Sequence, residues 1–183
     1  MTEEAAMKRL WAPWRVTYIR DPGVRGCIFC DKIRQDNDEE NFILFRGRLN
    51  FVMMNTYPYN PGHLMVVPYR HLGNLEGLSG EERTEHTELV AKAVVALKSD
   101  CKTENFNVGM NLGRSAGAGI VDHIHTHVVP RWNGDNNFMP VLAETRVISE
   151  STAEIYRRLR PLFEPTSPAA PSEEPSNSPS NPA

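Results

Sequence analysis

The chain has 183 residues, 40% of them hydrophobic, and a formal net charge of −3. That length fits one domain with a sizeable core, the mean hydropathy of −0.45 reads as soluble, and no run approaches the roughly 18 apolar residues of a membrane helix. The acidic balance argues against a general nucleic-acid binder, and three cysteines are too few for a disulfide framework, which points to a reducing, cytoplasmic location.

Residues 1–26 read as an irregular aromatic segment around Leu10-Trp-Ala-Pro-Trp-Arg15; its acidic start lacks the basic-then-apolar pattern of a secretory signal. Cys27-Ile-Phe-Cys30 follows, ahead of a stretch that can form a short helix. Asn41–Arg46 and Phe51–Asn55 read as strands joined by a turn containing Gly47. A third strand, His63–Pro68, is led in by the turn signal Asn60-Pro61-Gly62. Ser79-Gly-Glu-Glu82 matches a capping box and opens a helix to about Lys98, with Leu89, Val90, Ala93, Val94 and Leu97 as its buried stripe. Cys101, at its end, reads as a buried structural residue. Asn105–Asn111 is a fourth strand, Gly113–Gly119 a glycine-rich loop, and a histidine-bearing strand runs from about Ile120 to Val129. Ala153–Leu162 reads as a short amphipathic helix.

From Pro165 no large apolar residue remains to offset ordering entropy, so residues 164–183 read as a disordered tail. Its carboxylates Glu164, Glu173 and Glu174 account for the whole net charge and leave the folded part neutral. Phosphate affinity must therefore come from local design. Strands in runs around one helix predict, for residues 27–163, an α+β domain: a mostly antiparallel sheet of about five strands, one long helix and a short C-terminal helix.

The chemistry concentrates in His123, His125 and His127, three of the six histidines. A lone strand histidine is usually a satisfied structural residue. Three in alternation, interleaved with β-branched Ile124, Thr126 and Val128, instead predict a column of imidazoles on one face, roughly 6.5–7 Å apart. Imidazole serves as nucleophile, proton carrier and metal ligand, so metal binding and covalent catalysis both stay open. Cys27 and Cys30 form a two-thiolate half-site for zinc, a redox pair, or two small core residues. As a zinc half-site they need two more ligands, for which His71 and one triad histidine are available. The Gly113–Gly119 loop is a candidate phosphate cradle, with a flexible hairpin loop as the plain alternative.

His-Ile-His-Thr-His-Val-Val resembles the histidine triad family signature, with Thr126 its one non-apolar spacer. Asn55, Pro61-Gly62-His63, His71, Asn111 and Pro130-Arg131 fall where that family has them, and the resemblance covers roughly residues 27–132. The block from Phe106 to Phe138, with Leu10–Arg15, is similar to the bacterial diadenosine tetraphosphate phosphorylase branch. The resemblance implies nucleotidyl transfer through an AMP-histidine intermediate: His125 as nucleophile, His127 on the phosphate and leaving group, His63 close by. It implies that Asn55 holds the ribose, that Asn111 with Gly117, Ala118 and Gly119 holds phosphate oxygens, and that Trp132 lines the site. It further implies a structural zinc on Cys27, Cys30, His71 and His123, no organic cofactor, and a homodimer. The partners expected are an adenine dinucleotide and inorganic phosphate, with neither nucleic acid nor membrane.

Many members carry Gly-Gln-Ser/Thr shortly before the first histidine, where this chain has Ala118 and Gly119. That absence moves the expectation from hydrolysis toward phosphorolysis. His127, where the uridylyltransferase branch has Gln, disfavours hexose-1-phosphate transfer. A dinucleotide or AMP-conjugate hydrolase, a zinc enzyme ligated by all three histidines, and a nucleotide-binding protein without turnover are the alternatives. Divergent side chains at alternate strand positions argue against the zinc enzyme.

Overall fold

Apolar residues run unbroken through Phe51–Met54 and Leu64–Pro68 because strands Asn50–Met54 and Leu64–Pro68 are covered on both faces, so every position is buried. The computed structural model describes residues 26–135 and 150–164; the expected N-terminal segment and tail lie essentially outside them. In chain order the elements are α1 (Ile28–Arg34), α2 (Asp38–Asn41), β1 (Ile43–Arg46), β2 (Asn50–Met54), β3 (Leu64–Pro68), α3 (Gly80–Cys101), β4 (Asn105–Met110), β5 (Thr126–Arg131) and α4 (Thr152–Leu159), with single 3-10 turns at Arg114–Ala116 and Arg160–Phe163. The five strands form one sheet in the order β1-β2-β3-β5-β4, with every pairing antiparallel. No helix among the described residues is long and apolar enough to cross a membrane.

One face of the sheet carries Leu44, Val52, Met54, Leu64, Val66 and Val128, packed under α3 and α4. The other carries Ile43, Phe51, Met53, Met65 and Val67, closed by Phe29 of α1. The α3 stripe is as expected at Leu89, Ala93 and Leu97, but it continues N-terminally through two polar residues, Glu82 and His86. Ser79 caps the helix in the expected reciprocal box with Glu82.

Two glycines set the geometry that the site depends on. Gly62 turns into β3 at φ +78°, and a Cβ there would sit 3.1 Å from Cys101 Sγ and 3.3 Å from Pro130 Cγ. Gly73 lets the chain after β3 lie against the chain before β5, where a Cβ would meet the Val121 carbonyl at 2.6 Å. The Ile124 amide donates to the Leu72 carbonyl at 2.7 Å in the same crossing.

The expected histidine strand needs correction. β5 begins only at Thr126, and His123 and His125 lie in the irregular approach to it. The approach bonds to Leu72 and Pro68 instead of continuing a sheet ladder. The three imidazoles therefore form no uniform column.

Candidate active site and metal centre

Cys27 caps the N-terminus of α1 and Cys30 lies in its first turn, so both thiols face the same way. The Gly73 crossing brings His71 against His123. Around His123 Nδ1 stand Cys27 Sγ at 3.1 Å, His71 Nδ1 at 3.3 Å and Cys30 Sγ at 3.6 Å. One donor atom from each of these four residues lies within 4.8 Å of all the others. His123 Nε2–H donates to the Pro68 carbonyl at 2.8 Å, which leaves the Nδ1 lone pair turned into the cluster. That is the outer-shell arrangement of a ligating histidine. Two thiols and two imidazoles match the soft, four-donor set of a structural zinc site. Without a cation, burial and the neighbouring Cys27 hold the Cys30 thiol above its usual range. The expected ligand set thus meets in space, and His123 is separated from the other two triad histidines by what its ring touches.

His125 and His127 stand together with ring centroids 4.8 Å apart, at 78°. Both are buried, and their acid–base states follow from their second nitrogens. His125 Nδ1 lies 2.9 Å from the His123 carbonyl, which only accepts, so Nδ1 carries the proton and Nε2 the lone pair. His63 Nδ1 accepts the Tyr59 amide at 3.1 Å and the Asn55 side-chain amide at 3.3 Å. Its proton is therefore on Nε2, which donates to His127 Nδ1 at 2.9 Å. His127 in turn must carry its proton on Nε2. That Nε2 is buried and has no partner among the described residues. A buried, unspent N–H is costly unless a ligand takes it.

Burial, reinforced by the neighbouring imidazoles, pushes His63 down to about 3 and His127 down to about 4. Burial also lowers His125 against the opposing pull of the His123 carbonyl. All three are neutral at pH 7, so the pair offers one lone pair and one N–H donor side by side. Phe29, from between the two cysteines, packs on both His123 and His125 with centroids 5.2 and 4.9 Å away.

Other expected residues are placed less uniformly. Asn55 Oδ1 accepts the Tyr57 amide at 2.9 Å, so this side chain supports His63 from behind. Asn111 and His127 share the lining of an open cleft of about 280 Å³ with Tyr59, Asn107, Gly109 and Arg131. In the glycine-rich loop the amides of Gly117 and Ala118 are spent on the Arg114 and Gly113 carbonyls at 3.0 and 3.3 Å. Trp132 donates its indole N–H to the Cys101 carbonyl at the C-terminal end of α3, on the sheet face opposite His127. The structure does not bring that indole to the imidazole pair.

Sequence reasoning missed Tyr59, whose ring lies 4.6 Å from His63 and 5.6 Å from His127. It also missed the brace at the end of β5. Arg131 pairs with both Asp135 oxygens at 2.5 and 2.9 Å, and Asn60 joins Asp135 to the Pro130 carbonyl. The i, i+4 spacing of Arg131 and Asp135 was the available signal.

The family described as "HIT domain" matches residues 36–134. The chain is 41% identical over 161 residues to the AP-4-A phosphorylase of Mycobacterium tuberculosis, covering 84% of this chain and 83% of that one. It is 30% identical over 93 residues to the asymmetrical bis(5'-nucleosyl)-tetraphosphatase of Schizosaccharomyces pombe, covering 51% of this chain and 50% of that one. Among solved structures, a Zn-bound histidine triad family protein from Mycobacterium smegmatis shares the fold at a TM-score of 0.62 and 24% identity, covering 75% of this chain and 93% of that one. With that domain match spanning the sheet and the histidine pair, the chain belongs to the histidine triad (HIT) family.

Proposed function

We propose that this protein is a nucleotidyl-transfer enzyme that splits diadenosine tetraphosphate with inorganic phosphate into ADP and ATP. The observation that carries the reading is the complementary pair at the site: a lone pair on His125 Nε2 beside an unspent Nε2–H on His127. The M. tuberculosis relative that matches most of the chain is named for phosphorolysis of AP-4-A, and the two agree.

His125 Nε2 attacks the α-phosphorus, and the N–P bond forms as the bond to the bridging oxygen breaks. ATP leaves as its anion, so no proton needs to be delivered to it. His127 Nε2–H donates to the phosphoryl oxygens as charge moves onto them. The imidazole of His125 becomes cationic, and the His123 carbonyl stabilises that charge by accepting the Nδ1–H bond. Inorganic phosphate then attacks the AMP phosphorus, the N–P bond breaks, and ADP leaves. His63 keeps His127 in the donating tautomer. Asn55 is assigned to the ribose, and Asn111 with the Gly117–Gly119 loop to the phosphate oxygens.

Cys27, Cys30, His71 and His123 would hold zinc, which supplies charge to fasten α1 to the approach of β5 and takes no part in the transfer. Thiols kept for an ion require a reducing compartment, and we place the protein in the cytoplasm. A homodimer goes with this reading, supported by β4, which forms a sheet edge with four of its six residues exposed.

The test is incubation with diadenosine tetraphosphate and ³²P-phosphate. Label entering ADP, with an acid-labile AMP adduct on His125, supports the reading. AMP accumulating while label stays inorganic would falsify phosphorolysis in favour of hydrolysis.

A further inference from the structure

Between α3 and the sheet, in a layer of Val, Leu and Ala side chains, three polar residues form a closed chain. Asn50, His86 and Thr126 are each almost completely buried. Asn50 Nδ2 lies 3.1 Å from the Glu82 carbonyl and 3.1 Å from Glu85 Oε2. Both are acceptors here, which fixes the amide orientation and turns Oδ1 toward His86 Nδ1 at 2.9 Å. His86 Nδ1 therefore donates, His86 Nε2 accepts, and the Thr126 hydroxyl donates to it at 2.6 Å. Glu85 itself is anchored by the amides of Arg48 and Leu49 at 2.7 and 2.6 Å. A directional relay thus runs from the β1–β2 turn through α3 to the first residue of β5.

Thr126 stands between His125 and His127, with its side chain on the opposite face. It is the last point at which the sheet can hold the chain before the approach peels away to His125. Its backbone pairs with Val66 on one side and Met110 on the other. A valine would fill the same space without a buried hydroxyl, and an aliphatic residue at 86 would fill the layer without an imidazole. Packing alone does not ask for the polar chain, and buried polar chains fix orientation at some cost in stability.

We propose that His86 is a positioning residue for nucleotidyl transfer: through Thr126 it fixes the backbone between His125 and His127, and so the relation of lone pair to donor. The inference rests on the nucleotidyl-transfer reading of the site. Burial holds His86 down to about 4, so the accepting Nε2 is available across the neutral range.

The test compares Thr126→Val, His86→Asn and His86→Gln in the full chain. Asn reproduces the Nδ1 position and loses Thr126; Gln places an acceptor near the Nε2 position. Single-turnover formation of the AMP adduct is expected to fall roughly 10- to 100-fold in T126V and H86N, with nucleotide affinity unchanged. The H86N/T126V double variant should be no slower than either single variant, and H86Q should recover most of the rate. Thermal midpoints measure folding separately, and near-isosteric T126V carries the test if the His86 variants unfold. Adduct rates in T126V and H86N within twofold of wild type overturn the proposal. If wild type forms no adduct, the nucleotidyl-transfer reading fails instead. The ¹⁵N imidazole signals then decide positioning: His125 and His127 resonances that shift in T126V support it, and unchanged resonances overturn it.

Discussion

Replacing His86 by Gln should remove a defined part of the acid sensitivity of folding. His86 is pushed down to about 4 by burial alone, from an ordinary 6.5. Between those values the unfolded chain binds a proton that the folded chain refuses. Stability from this residue is therefore full above 6.5 and lost as pH falls toward 4. The gap is worth about 3 kcal/mol in total, of which about 1.3 kcal/mol disappears between pH 7.5 and 5.5. Gln does not titrate, so H86Q should lose about 1.3 kcal/mol less than wild type over that interval. His63, His127 and any metal site titrate in both proteins and cancel in the difference. Urea unfolding followed by circular dichroism at the two pH values reads it directly. Equal losses in the two proteins would refute a buried, neutral imidazole at position 86.

The metal cluster predicts about one zinc per chain by elemental analysis, a fall in thermal midpoint on chelation, and loss of the bound ion in Cys30→Ser. Gly73→Ala should cost about 1–3 kcal/mol, because its Cβ would meet the Val121 carbonyl at 2.6 Å, and should weaken zinc binding by parting His71 from His123. His125→Ala should abolish the AMP adduct and lower turnover by at least about 10³-fold, measured by ATP release. His127→Ala should form the adduct about 10²- to 10³-fold more slowly with nucleotide affinity little changed, as loss of a transition-state donor requires; an intact rate removes it from that role.

The helical and strand periodicities were legible because burial follows them: Leu89, Ala93 and Leu97 face the sheet, and five strands pair antiparallel. The four residues of the Cys/His cluster were legible as residue types and by resemblance, but their meeting depends on the Gly73 crossing, a contact between segments 48 residues apart that no local pattern announces. The late start of β5 was hidden for the same reason. Alternating β-branched residues predict a strand through His123 and His125, yet the Leu72 and Pro68 carbonyls take the hydrogen bonds there. The placement of Trp132 was not legible, because its side chain, just beyond β5, turns to the helix face. His86 was overlooked because a histidine in an amphipathic helix has no signature until its partners on β2 and β5 are known.

Five of the six imidazoles have a nitrogen whose proton is assigned by the partner opposite it, and that partner decides what each ring can do. A carbonyl on Nε2 leaves the His123 lone pair on Nδ1, facing the thiols; a carbonyl on Nδ1 leaves the His125 lone pair on Nε2. Donors on Nδ1 of His63 send its proton to His127, which passes the same polarity on and presents Nε2–H to the site. His86, held by Asn50, faces Thr126 with a lone pair. Rings of one chemical kind, three of them two residues apart, are thus left with different lone pairs and N–H groups to offer by the groups behind them. Exchanging a triad ring for another residue tests only its presence. The sharper experiment alters the partner: His63→Phe leaves His127 in place but frees its tautomer, and should slow adduct formation nearly as much as His127→Ala.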